Sequence, residues 1–207
     1  MNNAGKATRQ AVRGRTKADG FSLIELMVVI AIIFVVAAMA MISMQPNVQQ
    51  MRANAAMDQV LEELRTAREY AIANRRWVQV QFNVPQPNQV TVTVKNSLTA
   101  GAGPDVVLGT VPLQQTVVFF VFAGQPDTPD GYGNGNAILF AGVPNGPPAG
   151  MYFDSTGAFT NAGTGLPITG TVFLGNPAFP STARAVTVLG GTGRIRAWKG
   201  TLTGWFQ

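Results

Sequence analysis

"GFSLIELMVV", residues 20–29, puts one carboxylate, Glu25, at the head of a run that carries no other charge until Arg52. From Phe21 to Met44 the run is long enough for about 36 Å of helix at ~1.5 Å per residue, against a hydrocarbon core of about 30 Å. This segment can span a bilayer. Five cations precede it, Lys6, Arg9, Arg13, Arg15 and Lys17, with only Asp19 against them, and only Arg52 follows closely. That asymmetry predicts an N-terminus in the cytoplasm and everything after residue 45 outside it.

The flanks differ from those of an ordinary secretory signal, in which the apolar stretch is discarded at a small-residue site behind it. Here the basic region runs directly into Gly20, and a cut at Gly20 would leave the apolar helix on the mature chain. Pro46 lacks an amide hydrogen, so a kink or a membrane exit is expected there.

Glu25 has two readings. Ser22 and Glu25 have the S-x-x-E spacing of a capping box, and an acid in a first turn faces the positive end of the helix dipole. Alternatively the acid pairs outside its own chain, because an acid within a spanning segment costs about 2.5 to 3.5 kcal/mol at the helix centre and usually has a partner. A cation outside the chain would be such a partner.

"KADGFSLIELMVVIAIIFVVAAMA", residues 17–40, resembles the class III leader and N-terminal helix of type IV pilins and type II secretion pseudopilins. The match of Gly20, Phe21, Ser22, Leu23, Ile24 and Glu25 is in register. The resemblance implies cleavage after Gly20 by a prepilin peptidase, N-methylation of Phe21 by the same enzyme, and assembly with other pilins or pseudopilins through Glu25. It also implies an inner-membrane, single-pass protein with a periplasmic head that later enters a pilus or pseudopilus. Many family members carry a helix-kinking proline nearer the middle of the segment; in this chain the proline is Pro46.

From Asn47 to about Arg76 the apolar positions Val48, Met51, Ala55, Met57, Val60, Leu61, Leu64, Ala67, Tyr70 and Ala71 recur near the helical period. Arg52, Asp58, Glu62, Glu63, Arg65, Arg68 and Glu69 lie between them as a solvated face. At Trp77 the period changes to two. "WVQVQFN", "VTVTV", "TVVFFVFAG", "AILFAG", "MYFDSTGAF", "TGTVFLG", "RAVTVL" and "RIRAWKG" are expected as eight short strands between Gly, Pro and Asn clusters. The fold class is therefore α+β: a long N-terminal helix, membrane-spanning in its first half, packed on a C-terminal antiparallel β-rich head of two sheets. Residues 1–20 are expected as leader, 21–76 as helix with 21–45 in the membrane, and 77–207 as head. "MYFDSTGAFTNAG", "TGTVFLG" and "RAVTVLGGTGRIRAWKG" further resemble the head of the GspH/FimT group of minor pilins and pseudopilins.

Composition removes whole classes of chemistry. With no Cys and no His there is no thiol nucleophile, imidazole base, Cys/His zinc site or disulfide, and no carboxylate pair is clustered. An enzyme is not expected, nor a cofactor. The formal net charge of +5 belongs to residues 1–20 in all but one unit. After Asp154 there are no acids, however, and Arg184, Arg194, Arg196 and Lys199 make the tail locally basic.

Gly190–Gly193 are expected as a hairpin loop, with Arg194, Arg196 and Trp198 on one face of the second strand and Ile195 and Ala197 on the other. Arg194, Arg196 and Lys199 could neutralise phosphates, with Trp198 available for stacking. The resemblance implies the same, because FimT-like pilins of natural transformation bind DNA through a C-terminal G-R-x-R motif, matched here by Gly193, Arg194 and Arg196. Against it, cations on an edge strand are an ordinary device for discouraging edge pairing. "GQPDTPDGYGNGN", residues 124–136, offers Asp127, Asp130, Asn134 and Asn136 as oxygen donors. Some major pseudopilins hold calcium in a loop, but this spacing does not fit an EF-hand, and a mobile turn-rich loop is the simpler expectation. "GGTGRI" lacks the Lys-Ser/Thr of a phosphate loop, and Asp154 reads as a turn residue.

Overall fold

The computed structural model describes residues 20–83, 87–96, 104–140, 151–161, 163–201 and 203–207. The basic leader expected at the N-terminus falls, apart from Gly20, outside the described residues. By internal contacts the chain comprises two units, Met1–Ser43 and Met44–Gln207.

Within the first unit, helix α1 (Leu23–Asn74) begins two residues after the expected start. Its side chains from Leu23 to Met41 are apolar and exposed nearly all round, apart from Glu25. An all-round apolar helix needs an apolar solvent. The segment is long and apolar enough to cross a membrane by length and composition, with a mean hydropathy of 3.0.

In the second unit the remainder of α1, which contains Pro46, becomes amphipathic. Ala53, Ala56, Met57, Val60, Leu64, Ala67 and Ala71 are buried, at the three- and four-residue spacing that lines up one face. Four of the seven are alanine, so strands can approach the helix closely. Asp58, Glu62, Arg65, Thr66 and Glu69 point to solvent. The helix ends at Asn74, where Arg75 takes the left-handed conformation at φ 50 and the Arg76 amide donates to the Ala71 carbonyl at 3.1 Å. This is a Schellman-type stop.

Two antiparallel sheets follow. The first orders its strands β3 (Val106–Pro112), β2 (Gln89–Lys95), β1 (Trp77–Phe82), β6 (Met151–Phe153) and β7 (Phe159–Asn161). The second runs β11 (Gly204–Phe206), β10 (Arg194–Thr201), β9 (Phe179–Leu189), β8 (Gly170–Asn176) and β4 (Val118–Phe119), with β5 (Ile138–Phe140) also pairing β8. Alternation sends Val78, Val80 and Phe82 of β1, Phe153 of β6, Val172 and Leu174 of β8, and Val186 and Val188 of β9 into one core with the buried stripe of α1. A smaller cluster, Phe173, Ala185 and Trp198 with Val121 and Trp205, covers the other face of the second sheet.

The expected strands need four revisions. "MYFDSTGAF" is a hairpin rather than one strand: the Asp154 carboxylate accepts from the amides of Thr156 (2.8 Å) and Ala158 (3.0 Å), and Gly157 turns the chain at φ 81. Of "TVVFFVFAG" only Val118–Phe119 pairs. β3 was not foreseen, because "VVLGTVP" does not alternate; it is an edge strand with Val106, Val107 and Leu108 all exposed. Nor was β11, whose register with Lys199–Thr201 is set by the short turn after β10.

Two turns meet at the helix. Gly157 of the β6–β7 hairpin and Gly193 (φ 61) of the β9–β10 connection are both left-handed. A Cβ on Gly193 would lie 1.9 Å from the Gly157 carbonyl oxygen. Arg68 of α1 fills the remaining space, its Nε donating to the Gly157 oxygen (3.2 Å) and its Nη2 to the Thr192 oxygen (3.1 Å). Gly193→Ala is therefore expected to destabilise the fold by about 2 to 4 kcal/mol, from left-handed strain and backbone overpacking together. Thermal unfolding followed by circular dichroism checks this; a melting temperature equal to wild type would contradict it.

Candidate functional site

In the first unit, Gly20, Phe21 and Glu25 are exposed. Ser22 occupies the N-cap position of α1, and its carbonyl accepts from the Leu26 amide at 3.1 Å. The side-chain half of the capping box is not made. Neither Ser22 Oγ nor the Glu25 carboxylate has a hydrogen-bond or ion-pair partner among the described residues. The Glu25 charge is uncompensated within the described chain.

In the second unit, β10 and β9 pair in continuous register from Arg194↔Leu189 to Lys199↔Arg184. Ile195 and Ala197 pack on the helix-side core, while Arg194, Arg196 and Trp198 lie on the opposite face. Strand parity thus separates the four basic residues of the tail. Arg194 and Arg196 go to the outer face; Arg184 and Lys199 go to the face that meets α1.

The outer pair is not bare. Asp130, from the loop between β4 and β5, reaches over the sheet with a side chain only 8% exposed. Its Oδ1 accepts from Arg196 Nη1 at 3.0 Å and lies 3.8 Å from Arg194 Nη2. Its Oδ2 accepts from Thr187 Oγ1 (2.6 Å) and Trp198 Nε1 (3.2 Å), and the same indole N–H is shared with Thr187 Oγ1 at 3.1 Å. Trp198 is 7% exposed, with its polar edge satisfied inside the protein. The expectation that it offers a free stacking face is therefore corrected: its ring belongs to the small core beneath the loop.

The loop itself, expected to be mobile, is tied down. The two Asp127 oxygens accept from the amides of Thr128 and Gly133, each at 2.7 Å; Asn134 Nδ2 donates to the Gln125 carbonyl at 2.7 Å, and Trp205 Nε1 donates to the Pro126 carbonyl at 2.8 Å. Asp127 and Asp130 are thus engaged with backbone amides, guanidinia and an indole. No group of three acidic side chains able to hold a metal occurs among the described residues.

Arg194 also faces another neighbour. With Arg65 and Arg68 of α1, and Leu189, Thr192, Gly193 and Ile195, it lines an open cavity of about 510 Å³. Three guanidinium groups border it and, among the described residues, no acid does. Pattern reading missed Arg65 and Arg68, placed on a solvated helix face, because their approach to the β9–β10 turn depends on the meeting of Gly157 and Gly193. Asp130 was missed as a partner, although a tail without acids needs one from elsewhere.

Replacing Asp130 by Ala removes the acceptor of the Arg196 guanidinium, of the buried Thr187 hydroxyl and of one branch of the buried Trp198 indole N–H, and the counter-charge of Arg194. The expected loss is about 1 to 3 kcal/mol, the usual cost of orphaning buried donors. It would appear as a lower urea midpoint at unchanged m-value.

Residues 15–41 match the family model described as the prokaryotic N-terminal methylation motif. No curated protein sequence matches the chain at a significant level. Among solved structures, the minor pseudopilin EpsH of the type 2 secretion system of Vibrio cholerae is similar at a TM-score of 0.43 and 17% identity, over 70% of this chain and 95% of that one. The type IV minor pilin FimU of Pseudomonas aeruginosa is similar at a TM-score of 0.43 and 12% identity, over 74% of this chain and 97% of that one. The match to the methylation motif covers the start of a long helix that is apolar in its first half, and the chain continues into an antiparallel β-head of two sheets.

Proposed function

We propose that the chain is a non-catalytic minor pilin or pseudopilin subunit. On this reading a prepilin peptidase cleaves after Gly20 and methylates the new amine of Phe21. The subunit waits in the inner membrane with its N-terminus cytoplasmic and its head periplasmic, then enters a filament through α1. The observation that carries the reading is the methylation motif at residues 15–41 running into an apolar helical stretch, Leu23 to Met41, whose single charge, Glu25, has no partner among the described residues. An acid in an apolar segment is stabilised by pairing, and a neighbour's Phe21 amine supplies the opposite charge. Glu25→Gln keeps size and helix propensity while removing that charge. Co-purification with partner pilins is expected to fall by at least tenfold, with processing at Gly20 unchanged. Normal co-assembly of the Gln variant would sink the pairing.

A second reading is favoured by the three guanidinium groups around the cavity at the β9–β10 turn. There the head would bind a polyanion such as DNA, with Arg194 central, Arg65 and Arg68 flanking it, and Arg196 and Lys199 adding to the local field. Arg65→Ala combined with Arg194→Ala is expected to weaken DNA retention in a gel shift and lower the salt slope by about 1 per arginine. Asp130→Asn, which releases Arg194 and Arg196 from a carboxylate, is expected to strengthen retention. Equal, salt-insensitive retention by all versions would remove this reading.

A further inference from the structure

Arg184 is a buried cation with no counter-charge among the described residues. It lies in β9, 5% exposed, on the sheet face that meets α1. Its Nε donates to Asn54 Oδ1 at 2.7 Å, and its Nη1 donates to the carbonyl oxygens of Ser181 (3.1 Å) and Ala183 (2.7 Å). All three acceptors are neutral. No carboxylate lies within 4.0 Å of it among the described residues, and Nη2 has no acceptor there.

The register adds to the imbalance. Directly across the ladder from Arg184 is Lys199, so two cations stand side by side on one face. Like charges in such positions repel. Burial lowers the Arg184 pKa from its ordinary value, yet an arginine keeps its proton in a protein. A buried guanidinium held only by neutral dipoles is costly, and an anion at its open edge would offset much of that cost.

There is room for one. Arg184 lines a cavity of about 340 Å³ together with Gln50, Ser181, Thr201, Thr203 and Phe206. The Nη2 group has no acceptor among the described residues and is not fully enclosed, and Arg184 forms part of the cavity lining. Thr201 Oγ1 is within 3.2 Å of both Thr203 Oγ1 and the Gly204 carbonyl, so its one proton is committed; Thr203, Ser181 and the Gln50 amide are the further donors of the lining, and Phe206 supplies an apolar wall. The volume is at the small end for a ligand site.

We propose that this cavity is a carboxylate-binding site, in which one carboxylate accepts from Arg184 Nη2 and from the hydroxyls around it. A monoanion fits better than a phosphate, because Nε and Nη1 are already committed and only one edge of the guanidinium is free. The shared chemistry can come from a free small carboxylic acid or from an acidic side chain of another protein chain.

The test uses the full chain in nonionic detergent. Arginine Nε–H resonances are followed by NMR during titration with sodium acetate, with an N-acetylated, C-amidated glutamyl peptide, and with sodium phosphate, each against sodium chloride at equal ionic strength. A saturable shift of the Arg184 resonance with acetate, absent with chloride, is expected. So is a rise in melting temperature, since ligand at tenfold above its dissociation constant shifts the folding equilibrium about elevenfold. Arg184→Gln keeps a donor for Asn54 and should abolish the stabilisation. Thr203→Val, which leaves the guanidinium in place, should weaken it, and this variant keeps the test open if the Gln protein fails to fold. A response to acetate alone assigns small acids as ligand; a response to the peptide as well assigns protein carboxylates. Equal responses to acetate and chloride, or stronger binding of phosphate than acetate, would overturn the proposal. The readout is taken on the single chain, so it stands or falls separately from filament assembly.

Discussion

Beside the buried stripe of α1, one helix side chain hydrogen-bonds to turns of both sheets. Arg68 leaves α1 and donates to a carbonyl in the β6–β7 turn of the first sheet and to one in the β9–β10 connection of the second. Neither contact would exist without glycine on both sides. Gly157 and Gly193 approach so closely that a methyl on either would meet the clamp or its neighbours, and each holds a φ that other residues adopt only with strain. The hydrophobic stripe of α1 provides most of the burial, but burial is non-directional. Arg68 fixes the register between the helix and the two turns, and with it the position of Arg194 beside Arg65.

Strand parity then decides what the basic tail can do. A run with cations at 184, 194, 196 and 199 looks like one patch in sequence. Pleating divides it into an outer pair held by Asp130 and an inner pair with no ion-pair partner among the described residues. One carboxylate serves both members of the outer pair and holds Arg196 directly, which moves the case for polyanion binding away from the G-R-x-R strand alone. It rests instead on the meeting of that strand with the helix, where Arg65, Arg68 and Arg194 share an opening.

The legible parts of the chain were those written in local pattern. The change from helical to two-residue period at Trp77 marked the start of β1, and the Gly190–Gly193 loop correctly divided β9 from β10. Faces of β10 followed from alternation alone. What could not be read depends on contacts distant in sequence. Asp130 meets Arg196 across sixty-six residues and Arg68 meets Thr192 across one hundred and twenty-four. β3 escaped because an edge strand with both faces wet has no alternation to display. Trp198 looked like a stacking platform because its strand places it beside two arginines. The loop that buries it comes from a region whose composition says only that it turns.

Compensation separates the charges that serve the fold from those that imply something beyond it. Asp130 answers two guanidinium groups and an indole, so its cost is met inside the chain and its role is structural. Glu25 and Arg184 are the opposite case, an acid in an otherwise apolar helix and a guanidinium under a sheet, each without a counter-charge among the described residues. Folding does not reward such placements, since an apolar residue at either site would cost less. Their signs differ and so do their surroundings, which argues against one common partner. An acid in an apolar segment calls for a cation, whereas a buried cation beside a hydroxyl-lined cavity calls for an anion. The two ends of the chain thus direct it to two different encounters, and Arg68, between them, belongs to neither.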